Sequence, residues 1–165
     1  MRIVLASEFS ETIEKKIVLA SDHAGFTLKT AIAEHLRAAP GREILDIGTY
    51  NTNPVDYPPI CAAAARLVIS GEADFAVVMG GSGQGEQISA NKVRGIRAAL
   101  CHDEYTARFA RLHNDANVLA LGARLIAPEL ACAILDVFLE TDFEGGRHAE
   151  RLALLAEIEA QEAAK

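Results

Sequence analysis

Five short apolar runs divide the chain, at residues 17–21, 43–48, 75–80, 97–100 and 116–122. None shows strict apolar–polar alternation, the pattern of parallel strands covered on both faces. The segments between them carry helical spacing. Residues 26–38 set Leu28, Ile32 and Leu36 four apart on one face. Residues 57–70, 86–92, 103–112 and 128–139 read as further helices, with Pro128 in a first turn, where its missing N–H costs little. The tail, 145–165, reads as a last helix with an apolar stripe of Leu154, Leu155 and Ile158. Strands alternating with helices predict right-handed βαβ units in a single α/β domain, a parallel five-stranded sheet with helices on both faces. Ligands of such sheets bind beyond the carboxyl ends of strands. The loops to read for chemistry are therefore 21–25, 46–58, 80–86 and 101–105.

Composition narrows the classes. A chain of 165 residues suits one core, and half of its residues are hydrophobic, with no Trp. The formal charge of −7 argues against a general nucleic-acid surface. It leaves room for a small anionic substrate, because a pocket needs only local cations. Cys61, Cys101 and Cys132 are odd in number and form no metal-type pair, so a reduced, cytoplasmic setting is expected. No apolar stretch reaches membrane-spanning length, and no signal-peptide core is present. The string Ile-Val-Leu-Ala-Ser occurs at 3–7 and again at 17–21, but only the second copy leads into a helix start. Residues 1–15 are accordingly set apart as an N-terminal extension of unclear role, and 16–165 form the domain. The apolar stripe of the tail predicts a subunit contact and hence an oligomer.

The densest chemistry lies in "VVMGGSGQGEQ", with glycines at 80, 81, 83 and 85 and then Glu86. The stretch lacks the Lys-Ser/Thr of a nucleotide P-loop and fails the dinucleotide spacing. A strand, a glycine turn and a helix start can aim backbone N–H groups at a phosphate, or at an oxyanion formed during a reaction. The same pattern also fits a tight turn with Glu86 as an ordinary first-turn carboxylate. Asp22 and His23 read either as an acid–base pair or as a helix cap beside a solvent histidine. His113 and Asn114 could polarise a carbonyl, or form a turn with Asp115. Arg147 and Arg151, four apart, suit a phosphate dianion or a solvated face paired with Glu144 and Glu150. Arg124 is a further cation near a strand end. Cys61 and Cys132 fall on apolar helix faces, whereas Cys101 stands at a strand end beside His102. No metal-ligand spacing and no cofactor motif are present. A carboxylate, an oxyanion cradle, a histidine acid and three arginines make up the set needed to move a proton beside the carbonyl of a phosphorylated substrate.

The stretches "SDHAGF", "DIGTY…DYP", "GGSGQGEQISANKVRGIRAALCHDEYTARFAR", "HNDANVLALGAR" and "FEGGRHAER" resemble the type B ribose-5-phosphate isomerases. The wider family includes galactose-6-phosphate and allose-6-phosphate isomerases. The resemblance runs from about Lys16 to Arg151. It implies a Rossmann-like fold, aldose–ketose isomerisation through a cis-enediolate without metal or cofactor, and sites shared between the subunits of a homodimer or a dimer of dimers. Carried onto this sequence, it implies Glu86 as the base and Ser82 as a helper in proton shifts between O1 and O2. The anion hole would be Gly81, Gly83, Gln84 and Gly85 with Asn114. His113, with Asp22, would open the sugar ring. His23, Arg124, Arg147 and Arg151 would hold the phosphate, and Tyr57 would lie near the sugar. Many members carry a cysteine base just before the turn. Here that position is Gly80, as in a second subgroup that uses the glutamate. Four- and six-carbon sugar phosphates are the alternative substrates. A non-catalytic binding subunit is the alternative of another class, and the intact set of Glu86, Ser82 and His113 argues against it.

Overall fold

The computed structural model describes residues 15–164. The first Ile-Val-Leu-Ala-Ser copy and the rest of the extension before Lys15 lie outside them. The elements in order are β1 (Lys15–Ser21), α1 (Phe26–Ala38), β2 (Arg42–Asp46), α2 (Tyr57–Ile69), β3 (Phe75–Gly80), α3 (Gln84–Ala90), β4 (Ala98–Leu100), α4 (Glu104–Asn114), β5 (Val118–Gly122), α5 (Pro128–Glu140) and α6 (Arg147–Ala163). All five strands run parallel in the order β2-β1-β3-β5-β4. The expected fold class is present.

The two faces of the sheet differ in bulk. Ile17, Leu19, Val77, Met79, Leu119 and Leu121 point to one side, where α1 and α5 cover them with Leu28, Ile32, Leu36, Ile134, Leu135 and Phe138, and α4 with Ala107 and Ala110. Val18, Ala20, Ala76, Val78, Val118 and Ala120 point to the other, against Cys61, Ala64 and Ala65 of α2 and Ala90 of α3. This is the two-residue period of a strand, written in large residues on one face and small ones on the other. Burying each Leu or Ile contributes about 1.5–3 kcal/mol, so the large face supplies most of the stability. The small face lets α2 and α3 lie close to the sheet.

From β1 the chain builds outward to β2, then crosses back to place β3 on the other side of β1. The connections after β1 and β3 therefore leave the sheet on opposite faces, opening a crevice at the carboxyl ends of these two strands. Asp22 follows β1, and Gly81 follows β3. Element ends differ from expectation by a few residues. The third helix starts at Gln84 rather than 86, because Gly83 (φ 77°) turns the chain left-handed just ahead of it. The fifth strand starts at Val118 rather than 116, because Asp115 (φ 43°) ends α4 in the left-handed region.

Candidate active site

The crevice at the switch point is a cavity of about 480 Å³ lined by Asp22, His23, Tyr57, Gly81, Ser82, Gly85, Glu86 and Arg124, with Ala24 and Leu125. Glu86 stands in its wall. The side chain is buried, only 3% exposed, although it belongs to the first turn of a short helix. The backbone of β3 makes this possible. A Cβ on Gly80 would lie 1.8 Å from Glu86 Oε1 and 2.2 Å from its Cδ. The carboxylate thus fills the space that any side chain at position 80 would take. A Cβ on Gly85 would meet the Tyr57 ring and hydroxyl at 2.4 Å, so this second glycine lets Tyr57 lie flush on the turn.

Burial pushes the Glu86 carboxyl above its ordinary value of 4.5, and the negative charge of Asp22 adds to the shift. The backbone amides of Glu86 itself and of Gly83 favour the ion and oppose the rise. A carboxyl raised in this way is a stronger base when ionised than a solvated one, which is what proton abstraction requires. Asp22 is also buried, and its Oδ1 accepts from the Gly25 N–H at 2.9 Å. This bond closes a turn ahead of α1, whose N-cap is Gly25 without any side-chain cap, so the helix-cap reading of Asp22 is not met, and its charge beside Glu86 keeps it in the site. His23 Nδ1 accepts from the Val55 N–H at 3.3 Å, tying the long loop after β2 to the rim of the cavity. The Arg124 guanidinium lies against the turn, 3.2 Å from where a Cβ of Gly81 would be. The exposed Ser82 hydroxyl accepts from the Gln84 N–H at 3.3 Å.

The remaining candidates stand elsewhere on the chain. Helix α4 begins beyond the carboxyl end of β4 and returns to the amino ends of the strands, so His113 and Asn114 emerge at the edge opposite the cavity. A five-residue strand separates the two edges by roughly 15 Å. His113 stacks on His148 of α6, with ring centroids 4.0 Å apart and planes 11° from parallel. Phe109 meets the His113 ring edge-on at 4.7 Å, and Tyr105 follows one turn earlier on the same stripe of α4. Asn114 donates to the Phe109 carbonyl at 3.4 Å rather than facing the glycine turn. Arg147 and Arg151 are exposed on the first turns of α6. Burial first, then the charges of His113 and of the two arginines, lower the His148 pKa, against an opposing pull from Glu144. His148 and Glu144 were not picked out as functional from the sequence. The signal available was the position of His148 between two candidate arginines.

The cysteines are placed by burial. Cys61 and Cys101 are buried, with thiols pushed up to about 12 and about 11 chiefly by desolvation. Cys132 is partly exposed. Cys101, at its strand end, packs with the large-face core. The cavity holds no thiol.

Fold and crevice together define a parallel α/β protein with a buried carboxylate in a glycine turn at the topological switch point. The profile of the Ribose/Galactose Isomerase family matches residues 17–155, and the chain belongs to that family. It is 43% identical over 145 residues to the ribose-5-phosphate isomerase B of Escherichia coli K12, covering 88% of this chain and 97% of that protein. Its fold superimposes on the Clostridium thermocellum ribose-5-phosphate isomerase B with a TM-score of 0.86 at 48% identity, over 88% of this chain and 98% of the other. The Trypanosoma brucei type B ribose 5-phosphate isomerase gives a TM-score of 0.85 at 43% identity, over 88% and 99%. The chain is an enzyme of the sugar-phosphate isomerase class.

Proposed function

We propose that the enzyme interconverts ribose 5-phosphate and ribulose 5-phosphate, and that Glu86 carries the proton. The observation that carries this reading is the Glu86 carboxylate itself, buried at the switch point in the space above Gly80. Glu86 takes the proton from C2 of the open-chain aldose. The C–H electron pair forms the C1=C2 bond, and the carbonyl pair moves onto O1, giving a cis-enediolate. Return of the proton to C1 gives the ketose, with O2 as its carbonyl. The N–H groups of the turn from Gly81 to Gly85 face the oxyanion, and Ser82 moves protons between O1 and O2. Glu86 loses its charge as the oxyanion forms, so the carboxylate does not oppose the intermediate.

The phosphate is held by His23 and Arg124 of one chain with Arg147 and Arg151 of a second copy. His113 and Asn114 also come from that copy, His113 to open the ring and Asn114 to complete the anion hole. What supports a shared site is the separation of the two groups to opposite sheet edges within one chain. The unfilled apolar stripe of α6 adds to it, with Leu154, Leu155 and Ile158 more than half exposed. A symmetric dimer is the simplest assembly in which each chain lends one group and borrows the other. Among the described residues no helix is long and apolar enough to cross a membrane. Three free thiols support work in the cytoplasm.

The test is a panel of four-, five- and six-carbon sugar phosphates ranked by kcat/KM. The highest value is expected for ribose 5-phosphate. A higher value for a tetrose or hexose phosphate overturns the substrate assignment but keeps the chemistry. No turnover of any member overturns the catalytic reading in favour of a binding subunit.

A further inference from the structure

We propose that His113, Glu144 and His148 form a binding site for a divalent transition metal of the zinc type, and that its occupation blocks turnover by taking up the ring-opening acid. The second half rests on the role given to His113 above. Three side chains from two helices and the link before α6 bring one ligand atom each within 4.8 Å of one another. Glu144 Oε2 lies 3.6 Å from His113 Nε2 and 3.7 Å from His148 Nε2. Both separations exceed the roughly 2.7–3.2 Å of a hydrogen bond. They are close to the edge of a tetrahedron, roughly 3.4 Å, around a metal with ligand bonds of about 2.0–2.1 Å.

The second observation is independent of these distances. His148 is 4% exposed, and its Nε2 is buried without any hydrogen-bond partner. A buried polar atom left unpaired is costly and calls for a ligand, an ion or a water. This one lies within 4.8 Å of the ligand atoms of the other two side chains. Imidazole and carboxylate are the ordinary ligands of zinc, and three of them leave a fourth position for water. The stacked rings keep their nitrogen lone pairs in nearly parallel planes 4.0 Å apart at the centroids, so convergence on one ion requires one ring to turn about its Cβ–Cγ bond. His113, a third exposed, is the ring with room to do so. Arg147 and Arg151 bear on His148 and oppose a cation, while Glu144 offsets one charge. This balance favours a metal with strong bonds to nitrogen over calcium or magnesium, which need several oxygens. The sequence showed no such spacing, because only Glu144 and His148 share a local four-residue step.

The test titrates metal-free full-length protein with Zn²⁺ in competition with a chromogenic chelator, and follows ribose 5-phosphate turnover in parallel. Saturable binding of one ion per chain is expected, with turnover falling as the site fills and EDTA restoring it. His148→Ala and Glu144→Gln should each weaken binding by about tenfold or more. The Glu144 side chain is exposed, so the second variant remains informative if the first fails to fold. Co²⁺ in place of Zn²⁺ should show no thiolate charge-transfer band. Absence of saturable binding, affinity unchanged in both variants, or a thiolate band overturns the site. Saturated protein that keeps full activity overturns the coupling to His113 and leaves the role of Glu86, tested separately below, untouched.

Discussion

The two edges of the sheet carry two unlike sets of polar residues. At the carboxyl edge, Asp22 and Glu86 are buried, and glycines at 80 and 85 make room for the side chains packed on them. At the amino edge and on α6, Asn114, Arg147 and Arg151 are exposed, and His113 is held by a stack of rings. The first set is built into the core of one chain and needs nothing else for its geometry. The second faces outward on the chain. On the reading proposed above, the first edge supplies the desolvated carboxylate that takes the proton, with His23 and Arg124 beside it, and the second supplies the ring-opening histidine and two further cations for the phosphate.

The largest expected effects fall on the buried set. Glu86→Gln should lower kcat by about 10²–10⁴-fold, the usual worth of a positioned base, with the Kd for inorganic phosphate nearly unchanged. Gly80→Ala should approach the same loss while the chain still folds, since the new Cβ displaces only the end of the Glu86 side chain. A variant at either position that keeps kcat within a few-fold would remove Glu86 from the chemistry. The same residue has an opposite effect on stability. Because the folded state raises the Glu86 pKa, the contribution of this group is greatest below the ordinary carboxyl value of 4.5 and is lost as pH rises through the folded value. Glu86→Gln should therefore raise Tm near neutral pH, by on the order of a few °C, and the gain should shrink below that ordinary value. On the acid side, wild-type kcat/KM should fall as Glu86 takes up its proton.

The next effect tests the division between edges. Glu86→Gln and His113→Ala chains, each nearly inactive alone, should recover about a quarter of wild-type activity when unfolded, mixed and refolded, since each mixed dimer holds one intact site. No recovery in mixtures shown by mass to contain hetero-oligomers would place both residues in one chain's site. Arg151→Ala should raise KM about tenfold or more, through loss of a charged contact, with kcat much less affected. A fall in kcat alone would move Arg151 out of phosphate binding. The smallest effect is expected at Cys101, whose buried thiol is held protonated: Cys101→Ser should leave kcat within about twofold. Strong loss there would contradict the carboxylate base.

Much of the fold could be read from the sequence because the strands are buried on both faces, so their apolar runs stand out and each was found. Their ends were less legible. Pairing past β2 continues through the Ile47 and Thr49 N–H groups to the Leu19 and Ser21 carbonyls, beyond the strand's last residue, and run length alone cannot show that. The turn and its carboxylate were visible as a motif, and the Gly80 position drew attention as soon as a cysteine was expected there. The separation of Glu86 from His113 was not legible, since it depends on which edge α4 returns to. The Lys29–Asp46 pair, with Lys29 fully buried and lying over the Tyr50 ring, was missed as well. Lysine in a helix reads as solvated until the fold covers it. The meeting of Glu144, His113 and His148 is likewise a product of packing rather than of spacing.

The 1.8 Å between a Cβ at position 80 and Glu86 Oε1 also bears on how such enzymes diverge. A thiol carried at position 80 and a carboxylate reaching in from position 86 would compete for one volume, so they exclude each other. A lineage cannot add one base and later discard the other through an intermediate that holds both in place. The exchange has to alter positions 80 and 86 as a pair, and a sequence in which both groups are present would have had to swing the carboxylate of residue 86 out of that volume.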